Sequence, residues 1–329
     1  MIYHLIYFQI KMSYQEKFEL TATNTSYFSR QFDILITGMG DDKDDRHNYI
    51  KKSLRDFNGV VYSFDTCENA EKFYYKIETK DGVFVENVTD KLLIPDLQIL
   101  LSTNNFYGAN ICVDITTLKQ GILFLLIRIL LKDVKPARLF AAYTEPTEYK
   151  KRKHSEIGET EEYDLYLRIV GSSKAVPGFN KRQSQNDILL IAPIGFDSQR
   201  LQVIYENIKP RLLIPVVGFP SFVPGWYLTA IKMNYLILKQ ADCFDEIETC
   251  EAASPFAMYD LLDREFHRHT ANFDIYISPL GTRPHCLGAA IFVSRNPSAY
   301  LIYDFPIEKQ FRSGRVLKAN IYHLSKFIG

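Results

Sequence analysis

Residues 273–308 read FDIYISPLGTRPHCLGAAIFVSRNPSAYLIYDFPIE. The stretch opens on an apolar run of strand length, Phe273 to Ile277. Ser278, Pro279, Leu280, Gly281, Thr282 and Arg283 follow as a turn. His285 to Val293 carries a helical pattern, and Ala299 to Tyr303 is a second apolar run, closed by Asp304 and Pro306. Strand, turn, helix and strand in this order build a parallel α/β sheet. The turn would bring backbone N–H groups, Thr282 and Arg283 together at a helix N-terminus, where anions are stabilised.

An earlier stretch has the same grammar. Residues 109–148 read ANICVDITTLKQGILFLLIRILLKDVKPARLFAAYTEPTE, with a strand at Ile111 to Ile115, a polar turn at Thr116 and Thr117, an apolar helix, and a strand at Ala137 to Tyr143. Both stretches end in Tyr-x-x-Pro-x-Glu: Tyr143, Pro146 and Glu148, then Tyr303, Pro306 and Glu308. A second pair of segments matches. DILITGMG at 33–40 and DILLIAPIG at 187–195 are each followed by Asp, Arg and Ile: Asp42, Arg46 and Ile50 against Asp197, Arg200 and Ile204. Asp33 precedes Tyr143 by 110 positions and Asp187 precedes Tyr303 by 116. These matches predict an α/β fold of two tandem Rossmann-like halves with mostly parallel sheets, arising by internal duplication.

Composition sets bounds on this reading. The chain has 329 residues, of which 47% are hydrophobic, enough for one large domain or two modest ones. Lys plus Arg balances Asp plus Glu at 39 each, so a dedicated non-specific nucleic-acid binder is not expected. Five cysteines and no CxxC fit free thiols in a reducing cytoplasm. The N-terminal run MIYHLIYFQIKM lacks a basic n-region and a small-residue cleavage site, and translation from Met12 is an alternative start. The most apolar helix, Gly121 to Leu131, is too short to span a bilayer and carries Arg128, so no membrane partner is expected.

Residues 1–150 are read as the first half, with a small β-insertion at 66–95 where Asp81-Gly82 signals a hairpin. Residues 151–185, with opposed basic and acidic runs, are read as a charged polar linker. Residues 186–329 are the second half. Within it, helices are expected at Trp226 to Leu238 and Ser254 to His267, and Phe311 to Ile328 as a terminal strand or helix.

Gly281, Thr282 and Arg283 are the leading ligand-binding candidates. Glycine permits the bend, Thr282 can cap a helix or meet a phosphate oxygen, and Arg283 offers a planar fork to an anion. Thr116 and Thr117, with Lys119, hold the matching place in the first half. Both turns fall at the carboxyl ends of strands, where open α/β sheets bind ligands. Asp197 and Arg200 fall at the next carboxyl end, matched by Asp42 and Arg46. The two pairs either face each other across a cleft or are intrahelical ion pairs. Phe219, Phe222, Trp226 and Tyr227 either stack a ring or cover the core. His285 is either an acid or base beside the turn or a helix residue. Gly38-Met39-Gly40 lacks the third glycine of a dinucleotide fingerprint. His267, His269 and His285 lack a recognised metal spacing, so no metal is expected, and no cofactor is indicated. Motifs of serine hydrolases, P-loop proteins, zincins and kinases are absent.

The strand–Gly281-Thr282-Arg283–helix–strand unit resembles the ligand-binding unit of CARF-type domains, Rossmann-like sensors of cyclic oligonucleotides in prokaryotic antiviral defence. Those carry Gly-Thr-Lys in this place. The resemblance covers about forty residues, and the first half lacks such a turn. It implies a sensor or regulatory protein for a phosphorylated or nucleotide ligand. Two other readings stay open. One is an enzyme acting on nucleotides or nucleosides, a glycosidic-bond hydrolase or transferase with acids near Asp114, Glu145, Asp197 or Asp304. The other is a scaffold that binds a protein partner through its aromatic surface.

Overall fold

The structure is a computed structural model. It describes residues 16–21, 24–39, 45–54, 56–68, 73–79, 82–85, 97–99, 101, 106–151, 163, 165–168, 174–176, 179, 186–304, 306–308 and 313–329. In chain order the strands are β1 (Lys17–Leu20), β2 (Ile34–Gly38), β3 (Val60–Glu68), β4 (Phe73–Thr79), β5 (Gly82–Val85), β6 (Asn110–Asp114), β7 (Arg138–Tyr149), β8 (Tyr166–Arg168) and β9 (Lys174–Ala175). They continue with β10 (Asp187–Pro193), β11 (Leu212–Gly218), β12 (Glu248–Cys250), β13 (Phe273–Ile277), β14 (Tyr300–Tyr303), β15 (Ile307–Glu308) and β16 (Ser313–His323). Among the described residues the α-helices are α1 (Thr25–Ser29), α2 (Asp45–Ser53), α3 (Gln120–Ile129), α4 (Ser198–Ile208), α5 (Trp226–Met233), α6 (Tyr235–Gln240), α7 (Pro255–His269) and α8 (Arg283–Arg295).

Local chemistry accounts for the helix boundaries in the second half. Asp197 caps α4 by accepting from Gln199 N at 3.1 Å, and Ser254 caps α7 by accepting from Ala257 N at 3.1 Å with Pro255 at the first position. The helix expected over Trp226 to Leu238 is two helices. Buried Asn234 breaks it, because its side-chain amide donates to Ala230 O and Gly195 O, both at 2.8 Å.

Two sheets carry the fold. The first runs β1-β16-β7-β6-β2-β3-β4-β5 and the second β12-β11-β10-β13-β14-β9. Strands β7, β6, β2 and β3 are mutually parallel, as are β12, β11, β10, β13 and β14. After an antiparallel edge strand (β1 and β9), the chain starts the parallel part of each sheet in the middle, at β2 and β10, builds outward through β3 and β11, then crosses back to β6 and β13. The order β7-β6-β2-β3 therefore recurs as β14-β13-β10-β11. The progression reverses between β2 and β6 and between β10 and β13, and these are the topological switch points. The parallel strands read as unbroken apolar runs because helices cover both faces.

The two halves share one core. Helices α3 and α8, the matched crossovers, pack against each other and are buried nearly all round. The largest hydrophobic cluster runs from Ile34 through α3 and α8 to Phe327. Within residues 151–185, read from sequence as a linker, β9 pairs antiparallel with β14 and Val176 is fully buried, so residues 174–176 belong to the second sheet and its core. The end of the supposed second half returns to the first. Phe311 to Ile328 contains β16, which lies antiparallel between β1 and β7. Within residues 66–95, residues 66–68 end β3 and the antiparallel pair β4 and β5 forms the sheet edge; residues 69–72, 80, 81 and 86–95 lie outside the described ones.

Candidate functional site at the two switch points

The turn after β13 is built from its own polar groups. Thr282 is the N-cap of α8: its Oγ1 accepts from His285 N at 3.3 Å and donates to Ala252 O at 2.7 Å. Arg283, 9% exposed, sends Nη1 to Leu118 O at 2.6 Å, across to the turn of the other half. Gly281 is needed for close approach. A Cβ there would stand 3.0 Å from Pro193 Cβ and 3.2 Å from His285 Nδ1. Leu280 N donates to Pro193 O at 3.0 Å, which fastens the turn to the end of β10.

His285 is fully buried. Its Nε2 lies 3.0 Å from Glu251 O, and a carbonyl only accepts, so Nε2 carries the proton and Nδ1 is a bare acceptor. Burial lowers the imidazole pKa to about 4, against the opposing hydrogen bond to Glu251, so the ring is neutral at pH 7. Nδ1 has no hydrogen-bond partner, and neither does the buried Oγ of Ser278 in the same turn.

The turn after β6 is satisfied internally. Asp114 Oδ1 accepts from Thr116 N at 3.0 Å, while Oδ2 lies 3.4 Å from both Thr37 Oγ1 and Thr117 Oγ1. Thr117 Oγ1 accepts from Gly38 N at 2.7 Å, tying the turn to the end of β2. Thr116 Oγ1 accepts from Thr144 N at 2.9 Å, tying it to β7. A Cβ on Gly38 would meet Thr117 O at 2.4 Å. Asp114 is 1% exposed, and burial raises its carboxyl to about pKa 6 despite the bonds from Thr116, Thr37 and Thr117. Thr116 and Thr117 thus brace three strand ends.

Asp197 and Arg200 do not pair with each other. Arg200 donates Nε and Nη2 to Asp304, at 2.8 and 2.6 Å, in a fully buried fork, and its guanidinium lies 5.1 Å from the Tyr303 ring centroid. Asp197 instead caps α4, and burial raises its pKa, with Arg200 opposing. In the first half Arg46 occupies the matching corner. It donates Nε and Nη2 to Thr144 O at 3.0 and 2.6 Å, reaches the Ser313 hydroxyl, and lies 5.8 Å from the Tyr143 ring centroid. Asp42, with Asp41, Lys43 and Asp44, lies outside the described residues.

The turns and corners meet where the halves join. Gln120 at the start of α3 donates to Cys286 Sγ at 2.8 Å and accepts from the Tyr303 hydroxyl. The aromatic loop after β11 covers this junction. Phe222 lies 5.8 Å from Tyr143, and Trp226 lies 5.2 Å from Tyr149, both partners on β7 of the other half. Phe219 packs on Tyr227 at 5.0 Å. Glu145 on β7 is buried and accepts from Asn320 Nδ2 at 2.6 Å, and burial raises its pKa.

The structure therefore joins Gly281, Thr282 and Arg283 to the Thr116–Thr117 turn through Leu118, and it places Arg200 in a buried ion pair with Asp304. Sequence reasoning passed over Ser278, whose polar group in an otherwise apolar strand end was the available signal. No protein-family model matches the chain, and no curated protein matches it. Among the described residues, no helix is long and apolar enough to cross a membrane.

Proposed function

We propose that the chain is a cytoplasmic sensor that binds a phosphorylated or nucleotide-type ligand where its two switch-point turns meet. The observation that carries this reading is the bond from Arg283 to Leu118 O. One N–H of a guanidinium at a helix N-terminus, Nη1, is given to a neutral carbonyl of the opposite half. A phosphate oxygen makes a stronger, charge-assisted bond to the same fork. An anion drawn to this turn would compete for the contact that links the halves, so binding and inter-half coupling become one event. The strand order supports the placement, because open α/β sheets take ligands at the switch point.

An internal duplication is part of the proposal. The recurring order β7-β6-β2-β3 and β14-β13-β10-β11 supports it, as do the matched Arg46–Tyr143 and Arg200–Tyr303 corners. The resemblance to CARF-type sensors accords with a two-lobed binder and with a role in prokaryotic defence. A protein partner is favoured by the exposed Leu228, Tyr235 and Leu236 on α5 and α6. The enzyme reading is favoured by Asp114, whose pKa of about 6 suits acid–base work beside Thr116 and Thr117.

Thermal unfolding against nucleotides, cyclic nucleotides and sugar phosphates tests the proposal. A compound at a hundred times its Kd adds about 2.7 kcal/mol of stability. The expected result is a shift for a phosphorylated compound that Arg283→Ala abolishes. No shift across the panel would remove the reading. Turnover of the stabilising compound would favour the enzyme.

A further inference from the structure

We infer that α5, α6 and the turn after them form a docking face for a second copy of this chain. The hydrogen bonds of the helix pair run on through its break: Asn234 N donates to Ala230 O at 3.2 Å and Leu238 N to Asn234 O at 3.0 Å. The pair therefore keeps two continuous faces. Ala230, Asn234, Ile237 and Leu238, at steps of three and four, are buried. Leu228, Lys232, Tyr235, Leu236 and Lys239, at the same steps on the opposite side, are exposed. Leu228 is 57% exposed, Tyr235 48% and Leu236 78%. The solvent face of a surface helix is normally polar. Here both faces carry apolar side chains, and a contiguous exposed apolar stripe marks a contact surface. After α6 the chain doubles back. The ring centroid of Phe244, 39% exposed, lies 5.6 Å from that of Tyr235, which widens the patch and brings Asp245 and Glu246 beside the stripe.

Charge selects the occupant. Lys232 and Lys239 on the helices and Asp245 and Glu246 on the turn are exposed, and among the described residues none of the four makes an ion pair. The patch thus sets a cationic strip and an acidic strip side by side, with Tyr235 and Phe244 between them. A partner of one charge would be attracted by one strip and repelled by the other. A second copy, turned about a twofold axis between the strips, lays each lysine strip on the acidic strip of the other copy and brings Leu236 towards the other copy's Phe244. This self-complementarity is what an isologous dimer requires. No residue of the patch belongs to the switch-point turns, so the dimer stands or falls independently of the ligand reading.

Sedimentation equilibrium of the full chain without ligand tests this. The wild type should reach twice the 38.1 kDa mass of one chain in the micromolar range. Leu236→Asp should weaken association at least about tenfold, the effect of losing a central anchor. Its circular dichroism should not change, because the side chain is exposed. Two charge-reversed variants test the twofold itself. Lys232→Glu with Lys239→Glu sets acid against acid, and Asp245→Lys with Glu246→Lys sets lysine against lysine. Each should be monomeric alone, and an equimolar mixture of the two should pair. A wild type that stays monomeric in that range would overturn the inference. So would a dimer that Leu236→Asp leaves intact, or reversed variants that pair alone or fail to pair when mixed.

Discussion

In the turn after β6, Asp114 accepts from Thr116 N at 3.0 Å and Thr117 accepts from Gly38 N at 2.7 Å. In the turn after β13, at the matched place in the other half, Ser278 Oγ and His285 Nδ1 are buried with no partner. The first turn spends its polar atoms on tying strands together. The second holds its cap through Thr282 and leaves two acceptors over. The corners behind the turns differ in the same way. Arg200 meets a carboxylate, Asp304, where Arg46 meets the backbone of Thr144. A repeated strand order thus keeps one turn as a brace and leaves two buried polar atoms unpartnered in the other. That asymmetry is why we propose the second half for the binding site.

The corners should show the largest effect. Asp304→Ala leaves the buried Arg200 without its counter-charge and is expected to destabilise the fold by about 3–5 kcal/mol in urea unfolding. Thr144→Ala removes a side-chain hydroxyl that has no partner, and should cost about 1 kcal/mol or less. Equal costs would dissolve the distinction between the corners. The turns come next. Thr117→Val strips Gly38 N of its acceptor and should cost about 1–3 kcal/mol. Ser278→Ala removes an unpaired buried hydroxyl and should be neutral within about 0.5 kcal/mol, or stabilising. A large loss in Ser278→Ala would mean that its hydroxyl is bonded after all.

Much of the fold was legible in residues 273–308 because its signals are local. Thr282 capping His285, Ser254 with Pro255, and the apolar runs of β10 and β13 all act within a few positions. What escaped depends on partners far along the chain. Arg200 finds Asp304 over 104 positions, while the nearer Asp197 is taken up by Gln199 N. The strand β16 has a mixed pattern of its own, and its register with β7 across most of the chain makes it a strand. Charge runs in 151–185 masked β9, whose two residues gain their place only by pairing with β14. At the site, Gly281, Thr282 and Arg283 were visible as residue types. That Thr282 is occupied as a cap, and that His285 turns a bare nitrogen inward, follow from burial and from Glu251 O.

The effect that is smallest in the wild type, where two opposing slopes largely cancel, separates the two turns by pH. Asp114 is raised from 3.8 to about 6 in the folded protein, so the native state keeps a proton that the unfolded chain gives up. Its contribution to stability is present below pH 4 and is lost as pH rises to 6. His285 is lowered from 6.5 to about 4, so its contribution is present above pH 6.5 and is lost as pH falls towards 4. The two slopes oppose each other, each up to about 1.4 kcal/mol per pH unit. Asp114→Asn should leave stability rising with pH between 4 and 6. His285→Phe should leave it falling. Slopes of the reverse sign would show that one of the two groups is not buried in the assigned state.

The most direct test puts both turns in one experiment, thermal unfolding of the wild type, Thr117→Val and Arg283→Ala with and without the phosphorylated compounds. Wild type and Thr117→Val are expected to gain the same shift from the same compound, although Thr117→Val starts from a lower Tm, and Arg283→Ala is expected to gain none. A shift that survives in Arg283→Ala, that disappears in Thr117→Val, or that is absent from the wild type would contradict the assignment of the second turn as the binding site and the first as the brace.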